Sequence, residues 1–214
     1  MEKIEKQALD KLKKKYKLIK DDFEIENGHV IRLYILRKEM KQMDGVESFS
    51  QLHSLFLWGN KITKINRIED LIGLNELWLF DNQITKIEGL ENLSQIRKLH
   101  LGANKITRIE GLDNLSQLEV LDLQRNLISK IEGLENLSKL HSLYLWGNKI
   151  MKIEGLETLA QLEILHLYNN QIITLEGLGN LTYLKNLELS GNPLSQECKK
   201  ILEKGVSEVV NYCK

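Results

Sequence analysis

One proline and two cysteines occur in 214 residues, and all three (Pro193, Cys198 and Cys213) lie at the C-terminal end. On one unbroken helix the two cysteines would stand about 22 Å apart. A bond between them would need a break, for which Gly205 is the candidate, so free thiols are expected. Net charge is absent as well: 30 Lys and Arg face 30 Asp and Glu. No long-range field therefore draws nucleic acid or an anionic membrane to the body of the molecule. No apolar run is long enough to span a bilayer, and the lysine-rich start lacks the apolar core of a signal peptide, so a cytoplasmic location is expected. Glycine-rich phosphate loops, zinc-ligand spacings and HExxH are missing, which leaves an enzyme without its usual parts and gives no reason to expect a cofactor or metal.

What the chain has in excess is repetition. "LHSLFLWGNKI" at 52–62 returns as "LHSLYLWGNKI" at 140–150, differing only where Phe56 becomes Tyr144. The offset of 88 is four times 22, and a period of 22 holds along the chain. The recurring core LxxLxLxxN closes at Asn60, Asn82, Asn104, Asn126, Asn148, Asn170 and Asn192 without insertion or deletion. An eighth, degraded unit precedes these in "VIRLYILRKEMKQMDGVESFSQ". There Val30, Leu33, Ile35, Met40, Met43, Val46 and Phe49 take the apolar places and Lys38 replaces the asparagine.

Within LxxLxLxxN, apolar and variable residues alternate, which predicts a short strand with one face inward. The remainder, as in "KITRIEGLDNLSQ" (105–117), turns the chain back. Gly89, Gly111, Gly133, Gly155 and Gly177 mark a bend that a side chain would obstruct. One unit cannot enclose its seven apolar side chains, whereas stacked units bury them in a continuous column with parallel strands. The prediction is a solenoid with an inner wall of eight strands, about 35 Å long at ~4.8 Å per strand. The asparagine amides are expected to satisfy backbone groups of the turn after each strand.

The ends of such an array need covers. At 1–29 a basic amphipathic helix is expected, with Ile4, Ala8, Leu12, Tyr16 and Ile19 near one stripe. A membrane-surface or nucleic-acid arm is the competing reading of its lysines, weakened by Asp21 and Asp22. At 195–214, Ser195 can cap a helix whose Leu202, Val206, Val209 and Val210 close the last repeat. Between them, 30–194 carry about eight repeats. Lys64, Lys86, Arg108, Lys130 and Lys152 form one column beside Glu88, Glu110, Glu132, Glu154 and Glu176, a solvated outer face.

This spacing is that of leucine-rich repeats. "NKITRIEGLDNLSQLEVLDLQRN" resembles the 22-residue class typified by a regulatory subunit of the type-one Ser/Thr protein phosphatase, and the bacterial internalins use a similar length. The resemblance covers about residues 30–194. It implies an α/β repeat solenoid, a right-handed horseshoe with a parallel concave sheet and helical caps, serving as a non-catalytic protein-binding scaffold. The shared letters are the buried ones, so the resemblance names no partner. "NPLSQECKKILEKGVSEVVNY" at 192–212 resembles the junction between leucine-rich repeats and a GTPase domain in bacterial Roco proteins, which implies an alternative role as the sensing portion of a larger signalling GTPase.

Partner choice must lie between the leucines. The residue between the two inner-strand apolar positions reads Tyr34, Phe56, Trp78, His100, Asp122, Tyr144, His166, Glu188. The residue just after the strand reads Leu36, Trp58, Phe80, Gly102, Gln124, Trp146, Tyr168, Ser190. All three tryptophans and eight of the thirteen aromatic residues fall on these two columns. They form two patches separated by a polar stretch of His100, Gly102, Asp122 and Gln124. The expected function is recognition of a protein or peptide on this wall, with aromatic hot spots about 19 Å apart on the strand spacing. Two readings compete with it: rings stacked only to stiffen the wall, and a wall that meets a second copy of the chain. His100, Asp122 and Ser142 imitate a catalytic set, but an open wall lacks an enclosed pocket and oxyanion donors. His100 and His166 stand three repeats apart and cannot share one metal ion.

Overall fold

The computed structural model of the chain describes residues 1–214. Nine strands form one sheet in sequence order. They are β1 (Phe23–Glu26), β2 (His29–Tyr34), β3 (Ser54–Phe56), β4 (Glu76–Trp78), β5 (Lys98–His100), β6 (Val120–Asp122), β7 (Ser142–Tyr144), β8 (Ile164–His166) and β9 (Asn186–Glu188). From β2 to β9 every pairing is parallel, with Leu33, Leu55, Leu77, Leu99, Leu121, Leu143, Leu165 and Leu187 opposite one another. The ladder continues beyond the strands: the Leu57 N–H donates to the Trp78 carbonyl at 2.8 Å and the Gly59 N–H to the Phe80 carbonyl at 2.9 Å. Helices are confined to the two ends. Apart from a single-turn 3-10 helix at Val46–Ser48, the repeats are strand and turn only.

The seven apolar positions are buried as the period predicts. In one unit Leu99, Leu101, Ile106, Ile109, Leu112, Leu115 and Leu118 are all at most 1% exposed, and 60 buried residues form one continuous core. The degraded unit obeys the same rule, with Val30, Leu33, Ile35, Met40, Met43, Val46 and Phe49 completely buried. Leucine and isoleucine fill these places because each repeat has neighbours above and below on which to bury them.

The asparagines do more than close their own turn. Asn126 Nδ2 donates to the Leu123 carbonyl of its own repeat and to the Leu101 carbonyl of the preceding one, both at 3.0 Å. Its Oδ1 accepts from the Ile106 N–H of the preceding repeat at 3.0 Å. Asn82, Asn104, Asn148, Asn170 and Asn192 repeat the pattern. Each buried amide therefore fastens two successive turns, donating two hydrogen bonds and accepting one from a single short side chain.

Gly111 adopts φ +68°, and a Cβ there would lie 2.6 Å from the Ile87 carbonyl oxygen of the preceding repeat. The bend is thus left-handed and pressed against its neighbour, which glycine alone accommodates without strain. The return leg is held by tight turns, in which the Leu115 N–H donates to the Leu112 carbonyl at 3.0 Å and the Leu118 N–H to the Leu115 carbonyl at 2.9 Å. On its outside the charge columns pair across repeats in three places: Lys64 with Glu88 at 3.4 Å, Lys86 with Glu110 at 3.9 Å, and Arg108 with Glu132 at 3.0 Å. The alternation breaks at Lys130, which turns to Glu132 at 3.8 Å.

The N-terminal cover differs from a single amphipathic helix over 1–29. Helix α1 (Lys3–Tyr16) ends where Lys17 takes a left-handed conformation, φ 53°. It buries Glu5, Ala8, Leu9, Leu12 and Tyr16, whereas Ile4 and Ile19 are 66% and 64% exposed. The buried carboxylate of Glu5 has partners: His29 Nδ1 at 3.2 Å and the Val30 N–H at 3.3 Å. Beyond the helix, β1 pairs antiparallel with β2 through Asn27 and Gly28, both at positive φ, so a hairpin strand covers the first edge of the sheet.

At the other end α2 (Gln196–Leu202) and α3 (Val206–Tyr212) are separated at Gly205, φ +100°. Ser195 Oγ caps α2, accepting from the Cys198 N–H at 3.1 Å. Val209 and Val210 are buried, and Leu202 and Val206 pack half-buried against the core. Cys198 and Cys213 are free thiols. The Cys213 thiol donates to the Leu175 carbonyl at 2.8 Å. Burial, with Cys198 and Glu176 adding to it against an opposing backbone hydrogen bond at Leu178, pushes its pKa up.

Two outcomes are expected. Asn126→Ala strands the Ile106 N–H and the Leu101 and Leu123 carbonyls, and urea unfolding should show a loss of about 3 kcal/mol. Asn114→Ala removes one exposed bond, to the Glu91 carbonyl at 2.8 Å, and should cost under about 1 kcal/mol; equal losses would contradict the bridging role. Near neutral pH both cysteines should be alkylated by iodoacetamide at least about tenfold more slowly in the folded protein than in denaturant, followed by mass spectrometry.

Candidate functional site

Strand alternation decides which side chains face the open side of the sheet. In register, Tyr34 lies beside Phe56, then Trp78, His100, Asp122, Tyr144, His166 and Glu188. The second column runs from Leu36 through Trp58, Phe80, Gly102, Gln124, Trp146 and Tyr168 to Ser190, carried by the extended ladder. Trp58, Trp78 and Trp146 are all half-buried, as are Tyr34, Phe56, Phe80, Tyr144 and Tyr168. Asp122 is buried and Glu188 is exposed.

The rings touch from one strand to the next. Tyr34 and Phe56 stack with centroids 4.5 Å apart, Phe56 and Trp78 tilt at 5.7 Å, and Trp78 stacks on His100 at 3.6 Å. In the second patch Tyr144 meets His166 edge-on at 5.1 Å, and Trp146 stacks on Tyr168 at 4.8 Å. Each such pair contributes about 0.5–1.5 kcal/mol beyond its burial, so the ladder stiffens the wall whatever else it does. The Trp78 Nε1 and His166 Nε2 atoms are buried without a hydrogen-bond partner. Burial, with the carboxylates of Glu188 and Asp122 adding to it, pushes the Tyr168 phenol above its usual range.

The polar middle is organised around Asp122. Its Oδ1 accepts from the Gln124 N–H at 3.0 Å and its Oδ2 from Gln124 Nε2 at 2.8 Å. His100 Nδ1 lies 3.5 Å from the same carboxylate, too long for a strong hydrogen bond. Ser142 is in register with Val120 and Ile164 rather than with Asp122, so the three residues do not assemble a nucleophile, base and orienter. A neighbouring cross-strand pair, Lys98 Nζ to Glu76 at 2.9 Å, flanks the aromatic column.

One contributor, Arg37, lies outside the sequence-derived columns. The Arg37 guanidinium sits 4.7 Å from the Trp58 ring centroid. Gly102 is buried under its neighbours: a Cβ there would stand 2.7 Å from Gln124 Cγ, 2.9 Å from Phe80 Cδ2 and 3.0 Å from Asp122 Oδ1. Reading one further column at the same period, through Arg37, Gly59, Asp81, Ala103 and Arg125, is the signal that finds Arg37. A shallow cleft of about 270 Å³ opens here, lined by Trp58, Trp78, Phe80, His100, Asp122 and Gln124. No group of side chains suits a metal ion, and no helix is long and apolar enough to cross a membrane.

Comparison with known proteins agrees with this architecture. A family model described as leucine rich repeats (2 copies) matches residues 50–92, 72–114 and 116–158, about half of the chain. Among solved structures, internalin C2 from Listeria monocytogenes is 30% identical, with 75% of this chain and 81% of that one covered and a TM-score of 0.62. A leucine-rich-repeat protein of Leptospira interrogans (23% identity, 81% and 57% covered, TM-score 0.56) and a plant ice-binding protein (21%, 90% and 72%, 0.71) share the fold. No curated protein matches the chain. Leucine-rich-repeat proteins generally mediate protein–protein interaction on a scaffold that is typically non-enzymatic. By its repeat, its solenoid and these matches, this chain belongs to the leucine-rich-repeat family.

Proposed function

We propose that the protein is a non-catalytic recognition scaffold whose strand face binds a cytoplasmic protein or peptide. The observation that carries this reading is the placement of all three tryptophans and eight of thirteen aromatic residues on one uncovered face. Packing of the core does not require them there, since leucines, isoleucines and a few other apolar residues fill it and none of these eight rings is among them. A wall that served only as a lid for those leucines could present serine, threonine or lysine to water. Large rings on an aqueous surface instead mark a place that another molecule covers, and tryptophan and tyrosine bring contact area at low entropic cost. The ladder contacts support the same reading, because rings already held by their neighbours lose little freedom when a partner arrives.

The test is affinity capture of the partner from source-cell lysate, using the wild type beside Trp78→Ala and Trp146→Ala, with circular dichroism confirming that each variant folds. Loss of about 2 kcal/mol per hot spot, roughly thirtyfold in affinity, is expected. Unchanged retention of the same partner would assign the rings to stiffening alone. Sedimentation of the pure protein separates a foreign partner from a second copy: a concentration-dependent dimer lost in the same variants would replace the foreign partner with self-association.

A further inference from the structure

The two aromatic patches are sequence echoes of one another, yet they are built differently. Trp146 and Tyr168 sit one strand apart and stack at 4.8 Å with 11° between ring planes. Trp58 and Phe80 hold the equivalent positions 88 residues earlier, joined by the same backbone bond, Gly59 N–H to the Phe80 carbonyl, but their rings do not stack on each other. Trp58 instead holds the Arg37 guanidinium, and Phe80 leans over Gly102, into the space a side chain would take. The gap left between them is the cleft of about 270 Å³, with Trp78, His100, Asp122 and Gln124 completing its lining.

The chemistry of this gap is one-sided. Asp122 is the only carboxylate in the lining, and neither lysine nor arginine reaches it. Gln124 uses one hydrogen bond on each Asp122 oxygen and His100 Nδ1 stands 3.5 Å from Oδ2, whereas a carboxylate has about four acceptor sites. Asp81, the residue after Phe80 in the chain, is exposed. Aromatic walls with a carboxylate floor favour a cation, and a flat, weakly hydrated guanidinium stacks on rings better than a compact ammonium does. Arg37 against Trp58 is the molecule's own instance of that contact.

We propose that this cleft receives an arginine side chain of the bound partner, its guanidinium between Trp58 and Phe80 and directed at Asp122. The inference rests on the strand face being the recognition surface, and it specifies what one part of that surface selects. The second patch, closed by its own stack, takes no such group and serves as an internal control.

The three indole N–H signals of the protein, assigned through single Trp→Phe variants, report the cleft directly by nuclear magnetic resonance. The probe is acetyl-Gly-Arg-Gly-amide, titrated to roughly 50 mM because a single side chain binds at about millimolar strength. Trp58 and Trp78 should shift saturably and Trp146 should not. The citrulline and lysine counterparts should bind at least about tenfold more weakly. Asp122→Asn should weaken the arginine peptide by about tenfold, and Gly102→Ala, which drives Phe80 back toward Trp58, should abolish the shift while the repeat fold persists by circular dichroism. Equal shifts with citrulline or lysine, a parallel shift of Trp146, or an unaffected Gly102→Ala variant would each overturn the assignment. Capture of the partner that still depends on Trp78 and Trp146 would then leave the recognition surface standing without its arginine slot.

Discussion

A buried asparagine amide that reaches from one repeat into the one before it is the interaction on which this molecule depends. The leucines supply the driving force for stacking, but burial is non-directional and would tolerate slippage between coils. The amide is directional. It accepts from an isoleucine N–H of the preceding turn and donates to one carbonyl on each side, so the rise and register of successive coils are set together. Left without those partners, each buried backbone group would cost about 1–3 kcal/mol. An insertion of even one residue between asparagine and strand would break the correspondence, which is why the period of 22 is kept without exception from Asn60 to Asn192.

That coupling frees the other side of the sheet. Once leucines and asparagines hold the coil, the residues between them are free of the demands of core packing. Ladder stacking and partner binding are not rival explanations of the aromatic columns. Rings in contact along the wall are pre-ordered, and pre-ordering lowers the entropic cost of covering them. The contrast between the stacked Trp146 and Tyr168 and the open Trp58 and Phe80 further shows that equivalent tryptophans can stand in different surroundings: Phe80 leans over Gly102, where the equivalent position after Tyr168 is Ser190.

Most of the fold is legible in the sequence because buried positions recur with fixed chemistry. The seven apolar places per unit, the degraded first unit with Lys38 for asparagine and the bend at Gly111 all follow from spacing and from what glycine permits, whereas the C-terminal cover, expected as one helix capped by Ser195, is two helices parted at Gly205. The N-terminal cover is less legible. A helical stripe through Ile4 and Ile19 looks apolar on paper, but the chain leaves the helix at Lys17, and the face presented to the first repeat carries Leu9 and a carboxylate, Glu5, partnered by His29. That partnership spans 24 residues and has no local signature. The wall's columns are read directly from the period. Whether two rings on it close or part depends on how Phe80 uses the empty volume at Gly102 and on where Arg37 lies, which are matters of packing rather than pattern.

Native-state amide hydrogen exchange tests the central coupling most directly. The N–H groups of Ile84, Ile106, Ile128 and Ile150 each donate to an asparagine of the following repeat. They should exchange together, at the rate set by global unfolding, while exposed amides on the return turns exchange by local opening. If these four amides exchange independently and fast, the repeats are not fastened by their asparagines and the strand face is not the rigid wall described.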